Sequence, residues 1–143
     1  MKISGSHSLP FPPEQAYSIL QDPEALARAI PGCESLEKIG DSEYRMKMNM
    51  ALAAISGAFD GTVRISEQMP PSSFRLDFEG SGKIGFVKGG GVLTIVPADD
   101  GGSTVNFDGD VQVGGTIAAV GQRLIDTTSK MMINKFFERI VSG

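Results

Sequence analysis

The sequence predicts an α+β fold: a curved antiparallel sheet of about six to seven strands, covered on one face by one long C-terminal helix, with two short helices after the first strand. Three observations carry this. After Pro31-Gly32 much of the chain alternates apolar and polar residues with period two, as strands with one wet face do. The alternating runs are separated by short turn clusters, which favours an antiparallel meander over parallel βαβ units. From Thr116 onward the period becomes helical.

The first strand is Lys2 to Leu9, where Ile3, Gly5, His7 and Leu9 share a face and the cluster Pro10, Pro12 and Pro13 ends the run. The segment from Pro12 to Gly32 reads as two short helices broken at Pro23, because a proline inside a helix removes a donor and clashes with the preceding turn. Ala16, Tyr17, Leu20, Leu26 and Ile30 supply their inward stripe. Next, Tyr44, Met46, Met48, Met50 and Leu52 alternate with Arg45, Lys47, Asn49 and Ala51. Phe59, Gly61, Val63 and Ile65 repeat the pattern, and Phe74, Leu76 and Phe78 do so after a Pro70-Pro71 turn. Leu93 and Ile95 follow, then Val105, Phe107, Val111 and Val113 opposite Asn106, Asp108, Asp110 and Gln112.

In the final segment Ile117, Val120, Leu124, Thr128, Met131, Met132, Phe136 and Ile140 fall in one stripe, and Asp126 and Lys130 are spaced for an i,i+4 ion pair. A helix from Thr116 to Val141 would be about 40 Å long, enough to cross the sheet. A sheet with one apolar face must be covered, so strand, two short helices, meander and long helix describe a helix-grip architecture. A strongly curved sheet of this kind leaves a cavity under its helix.

With 143 residues the chain suits one domain, expected over residues 1–143. A net charge of −4 without clustered Lys and Arg argues against a nucleic-acid partner. The single cysteine, Cys33, rules out an internal disulfide and any multi-cysteine metal site, and it fits a reducing, cytoplasmic setting. No run has the length of a signal peptide's apolar core or of a transmembrane span.

Gly80-Ser81-Gly82-Lys83-Ile84-Gly85 matches the dinucleotide pattern G-x-G-x-x-G, whose mechanism needs a helix to begin there. The residues that follow are glycine-rich and then β-like, so a turn or bulge is the reading adopted, with Gly89-Gly90-Gly91 as a bend in the sheet. His7 is the sole histidine and has no sequence-local carboxylate to orient it, which favours a structural or cavity-rim role over general-base chemistry. Cys33 could be activated only by that histidine, and a small half-buried turn residue is the simpler reading. Asp99 and Asp100 sit in a turn cluster, and Asp108 and Asp110 lie on the outward phase of their strand; neither pair has metal-ligand spacing.

The methionines are more suggestive. Met46, Met48 and Met50 are consecutive on one strand face, and Met131 and Met132 lie on or near the helix stripe. Methionine fills irregular space and adapts to ligands of variable shape, so core filling and ligand contact fit equally well. Apart from His7 and Tyr44 the inward face carries no obvious polar group, which suits an apolar small molecule and leaves little for catalysis. The residues expected to line a cavity are Tyr44, Met46, Met48, Met50, Phe59, Leu76, Phe78, Phe86, Leu93 and Phe107 from the sheet, with Leu124, Thr128 and Met131 from the helix. No catalytic or metal-binding residue is expected.

The element order and four local strings resemble the carbon monoxide dehydrogenase CoxG family, within the START-like (SRPBCC) and plant-allergen-like (Bet v 1-like) group. The strings are Met1 to Ser6, Ile30-Pro31-Gly32-Cys33-Glu34-Ser35-Leu36, Gly80-Ser81-Gly82 through Phe86, and Val113-Gly114-Gly115 leading to Gly121-Gln122-Arg123-Leu124-Ile125-Asp126. The resemblance implies a non-catalytic accessory protein that assists a molybdenum-containing CO dehydrogenase-type hydroxylase in its membrane and quinone coupling. It implies no intrinsic cofactor beyond a bound quinone or lipid. Family members often carry an apolar C-terminal segment; this sequence stops at Gly143, so the membrane association expected is peripheral, at the inner face of the cell membrane. A stand-alone carrier of hydrophobic molecules is the alternative, and a cavity-based cyclase or hydrolase ranks behind it.

Overall fold

In the computed structural model, which describes residues 1–52 and 55–142, strand β1 (Lys2–Leu9) leads into two short helices, α1 (Pro13–Ile19) and α2 (Pro23–Ala29). Six strands follow: β2 (Cys33–Lys38), β3 (Glu43–Leu52), β4 (Ile55–Met69), β5 (Ser73–Gly82), β6 (Gly85–Pro97) and β7 (Ser103–Gly114). A 3-10 segment (Gly115–Val120) then precedes the C-terminal helix α3 (Gln122–Ser142). The side chains of Leu52 and Ile55 lie outside the description, and with them the expected inward placement of Leu52.

The strands form one antiparallel sheet in the order β1-β7-β6-β5-β4-β3-β2. The meander predicted by the turn clusters is therefore present, and β1 returns to pair with β7, placing Gly5 opposite Phe107. Residues of one strand phase, such as Tyr44, Val63, Ile65, Phe74, Ile95 and Val105, are buried together, as period-two alternation requires. The alternating polar residues face out; Glu43 and Arg64, register partners on β3 and β4, meet at 3.5 Å there.

Proline at the first position of α1 and of α2 starts each helix without loss of a needed donor. The Asp22 side chain accepts a hydrogen bond from the Glu24 amide at 3.2 Å and caps α2. Alanine at Asp22 is expected to cost about 1 kcal/mol in chemical denaturation; an unchanged midpoint would show that the cap contributes nothing. α1 is tied to the sheet by the Tyr17 hydroxyl, which donates to the Ser73 carbonyl at 3.2 Å.

The main core lies where α1, α2 and the last turns of α3 meet the sheet, and holds Leu20, Phe74, Val105, Phe137 and Ile140. A second, smaller cluster of Phe59 and Ile117 lies beneath the 3-10 segment, with Met48, Met50, Val87 and Val113 packed against it.

The single helix expected from Thr116 to Val141 is divided. Gly121, at φ 94°, separates the 3-10 segment from α3, whose 21 residues span about 31 Å. This backbone conformation is one that glycine adopts without strain. The break also resets the helical phase, with consequences for the residues that reach the interior. The Asp126–Lys130 pair forms as spaced, at 3.0 Å.

Candidate functional site

Helix α3 rests on the main core through Phe137 and Ile140 at one end, while Ile117 of the preceding segment rests on Phe59 at the other. Between these two supports the sheet is not filled. A cavity of about 270 Å³ remains, with Met46, Met48, Met50, Phe59 and Phe78 on the sheet side and Thr128, Met132 and Ile133 on the helix side. Its floor includes Gly61 and Gly80, register partners on β4 and β5 at inward-facing positions. A side chain at either position would project toward the helix by strand phase, so the glycine pair leaves space where neighbouring positions carry bulk.

The two glycines differ in what they require. A Cβ at Gly61 would stand 2.2 Å from the Glu79 carbonyl oxygen, so the backbone approach at that position demands glycine. At Gly80 a Cβ would meet nothing nearer than 3.5 Å. Close approach explains the first glycine; the second is sterically optional.

Of the residues expected to line a cavity, Met46, Met48, Met50, Phe59, Phe78 and Thr128 are brought together around it. Tyr44 is buried in the main core, and Leu76, Leu93 and Phe107 pack against that core, beyond the cavity wall. Three other expectations are corrected by geometry. Phe86 is out of phase with Val87 on β6 and is 48% exposed on the opposite face of the sheet, beside a solvent-open hollow of about 500 Å³ flanked by Arg45, Asp60, Glu79 and Lys88. Leu124 is half-buried but belongs neither to the cavity wall nor to either apolar cluster, because the break at Gly121 rotates it out of phase with Ile117. Met131 is 38% exposed and lines a separate surface hollow of about 200 Å³ with Gly32, Asn49, Lys135 and Arg139.

Val87, Ile125 and Ile133 also line the cavity and are not among the expected residues. Counting strand phase backward from Leu93 through Gly91 and Gly89 reaches Val87, but the glycines hide the alternation. Restarting the helical count after Gly121 selects Ile125, Thr128, Met132 and Ile133.

His7 lies inside the fold, stacked on Phe137 with ring centroids 4.2 Å apart and planes inclined by 13°, and facing Phe107 at 5.9 Å. Burial lowers its pKa below the ordinary 6.5 because the charged form is poorly solvated there. The unfolded chain then binds more protons between the two values, so stability should fall as pH drops through 6.5 and level off below the folded-state pKa. His7→Phe is expected to flatten the dependence of the melting temperature between about pH 7.5 and 5.5. Parallel curves for the two proteins would sink this assignment.

Cys33 starts β2, at the sheet edge opposite β1, and its thiol donates to the Ser35 carbonyl at 3.5 Å. Burial pushes its pKa up, outweighing the opposing hydrogen bond, and the Glu34 charge adds to the rise. The thiol is thus held protonated, the opposite of an activated nucleophile. The G-x-G-x-x-G string spans the β5–β6 hairpin, so no helix N-terminus is present there to receive a pyrophosphate. Among the described residues no cluster of His, Cys, Asp and Glu could hold a metal ion, and no helix is long and apolar enough to cross a membrane.

Comparison with known proteins places this architecture. A conserved protein from Geobacillus kaustophilus superposes with a TM-score of 0.96 at 33% identity, over 99% of this chain and 93% of that one. A START superfamily protein from Mycobacterium smegmatis gives a TM-score of 0.76 at 13% identity, over 99% and 94% of the two chains, and identifies the fold as START-like. A protein from Chromobacterium violaceum gives 0.70 at 18% identity, over 99% and 95%. No curated protein matches the chain. The sequence profile of the CoxG component of carbon monoxide dehydrogenase matches residues 5–142, nearly the whole chain, and the protein accordingly belongs to the carbon monoxide dehydrogenase CoxG family.

Proposed function

We propose that this protein is a non-catalytic accessory factor that holds an apolar small molecule, a quinone or a lipid, between its sheet and α3, and serves a molybdenum-containing CO dehydrogenase-type hydroxylase. The observation that carries this reading is the cavity of about 270 Å³ walled by methionine, phenylalanine and aliphatic side chains. Such walls gain free energy from excluding water around an apolar ligand, at about 25 cal/mol per Å². Unbranched methionines let the wall adjust to the occupant. Family membership suggests the enzyme partner, and the work proposed is peripheral, at the inner face of the cell membrane, in coupling enzyme to quinone.

Native mass spectrometry of protein purified from its own host should show a bound apolar molecule. Reconstitution with the hydroxylase and a quinone in vesicles should show faster quinone reduction when the protein is added. An occupant without any effect on the enzyme would favour the stand-alone carrier. An interior found empty under all conditions would sink both readings.

A further inference from the structure

Three consecutive hydroxyl residues on α3, Thr127, Thr128 and Ser129, have different hydrogen-bonding fates. Thr127 donates back to the Arg123 carbonyl at 2.9 Å and Ser129 to the Ile125 carbonyl at 2.8 Å, the four-residue back-bond that helical Ser and Thr commonly make. The Thr128 hydroxyl makes no hydrogen bond among the described residues, although the residue is only 7% exposed and lines the cavity. Among the described residues no side-chain nitrogen or oxygen is both sealed from space and unpartnered. The Thr128 oxygen therefore opens on the cavity itself. A nearly buried hydroxyl without a partner is costly, and such groups in native proteins are almost always satisfied.

We propose that the Thr128 hydroxyl is the polar anchor of the cavity, and that the ligand is a neutral, mainly apolar molecule carrying a hydrogen-bond acceptor such as a ketone-type carbonyl. The inference rests on the cavity-holding reading above and sharpens it to a ligand class. A hydroxyl can donate one hydrogen bond and accept others, so it matches a carbonyl or hydroxyl oxygen. It does not compensate an ionised carboxylate, whose desolvation within methionine and phenylalanine walls far exceeds what one hydroxyl returns. A pure hydrocarbon would leave the hydroxyl unpaired. The apolar walls thus select for bulk, while Thr128 selects for a single acceptor and sets its depth along α3.

The test uses two probes of nearly equal shape, 2-acetylnaphthalene with a carbonyl and 2-ethylnaphthalene without one, titrated into the intact protein and its Thr128→Val and Thr128→Ser variants. Valine matches threonine in shape and removes only the hydroxyl; a melting curve confirms that each variant folds. Thr128→Val is expected to weaken the ketone roughly three- to tenfold and to leave the ethyl probe unchanged or tighter, with Thr128→Ser close to wild type. Equal responses of the two probes to Thr128→Val would overturn the anchor while leaving the cavity reading intact. Failure of both probes to bind the wild-type protein, together with an empty interior in native mass spectra, would overturn the cavity reading and the anchor with it.

Discussion

Leucine at Gly80 is expected to weaken binding of a neutral apolar fluorophore such as N-phenyl-1-naphthylamine by about tenfold or more, with the protein still folded. Gly80 lies at an inward phase of β5 and lines the cavity, and the nearest atom to a Cβ placed there is 3.5 Å away. The added side chain would occupy volume otherwise given to ligand. Displacing two or three methylene equivalents of contact forfeits about 0.8 kcal/mol each, and every 1.4 kcal/mol is about tenfold in affinity. Its register partner should behave differently. A Cβ at Gly61 meets the Glu79 carbonyl oxygen at 2.2 Å, so even Gly61→Ala forces the backbone apart, at about 2 kcal/mol or more in folding stability. Binding by Gly80→Leu at wild-type affinity would show that the ligand does not enter between sheet and helix. A Gly61→Ala protein as stable as the wild type would show that β4 and β5 can separate at this point without cost.

Truncating Phe74 to alanine is expected to cost about 3–5 kcal/mol and to lower the melting temperature by on the order of 10 °C. Phe74 is 1% exposed at the centre of the main core and meets Tyr17 edge to face at 5.6 Å. Removing the ring leaves a cavity in the core and also loosens the attachment of α1, which Tyr17 secures to β5. Because native domains are stable by only about 5–15 kcal/mol, this change would consume much of the total. Urea denaturation measures it directly, and a loss below about 1 kcal/mol would mean that the surrounding side chains collapse to fill the space.

The contrast between legible and illegible parts of this protein follows from the kind of signal each carries. Met46, Met48 and Met50 alternate without interruption with Lys47 and Asn49, and the inward face of β3 is readable because strand phase is strictly two. Val87 escapes the count because Gly89 and Gly91 occupy the inward positions between it and Leu93, and a glycine shows no preference for either face. Phe86 is misplaced for the same reason: with the phase lost, its size alone suggests an interior position. On α3 the error comes from one residue. Gly121 reads within a helical pattern as a tolerated interruption, yet it ends the 3-10 segment, and the stripe counted from Ile117 drifts off the inward face by Leu124 and Met131.

Sequence by itself determined the strand phases, the two proline-started helices, the order of elements and so the covered face of the sheet, because each depends on local periodicity and local backbone chemistry. Tertiary structure alone decided that the covered face is incompletely filled. That depends on α3 being held up at two ends by Phe137 with Ile140 and by Ile117 on Phe59, and on Gly61 and Gly80 falling opposite each other between those supports. It also decided that, among the described residues, Thr128 has no partner while Thr127 and Ser129 do. Whether a cavity exists, and which atom in it remains unsatisfied, are properties of distances between segments far apart in the chain, and no pattern confined to one segment records them.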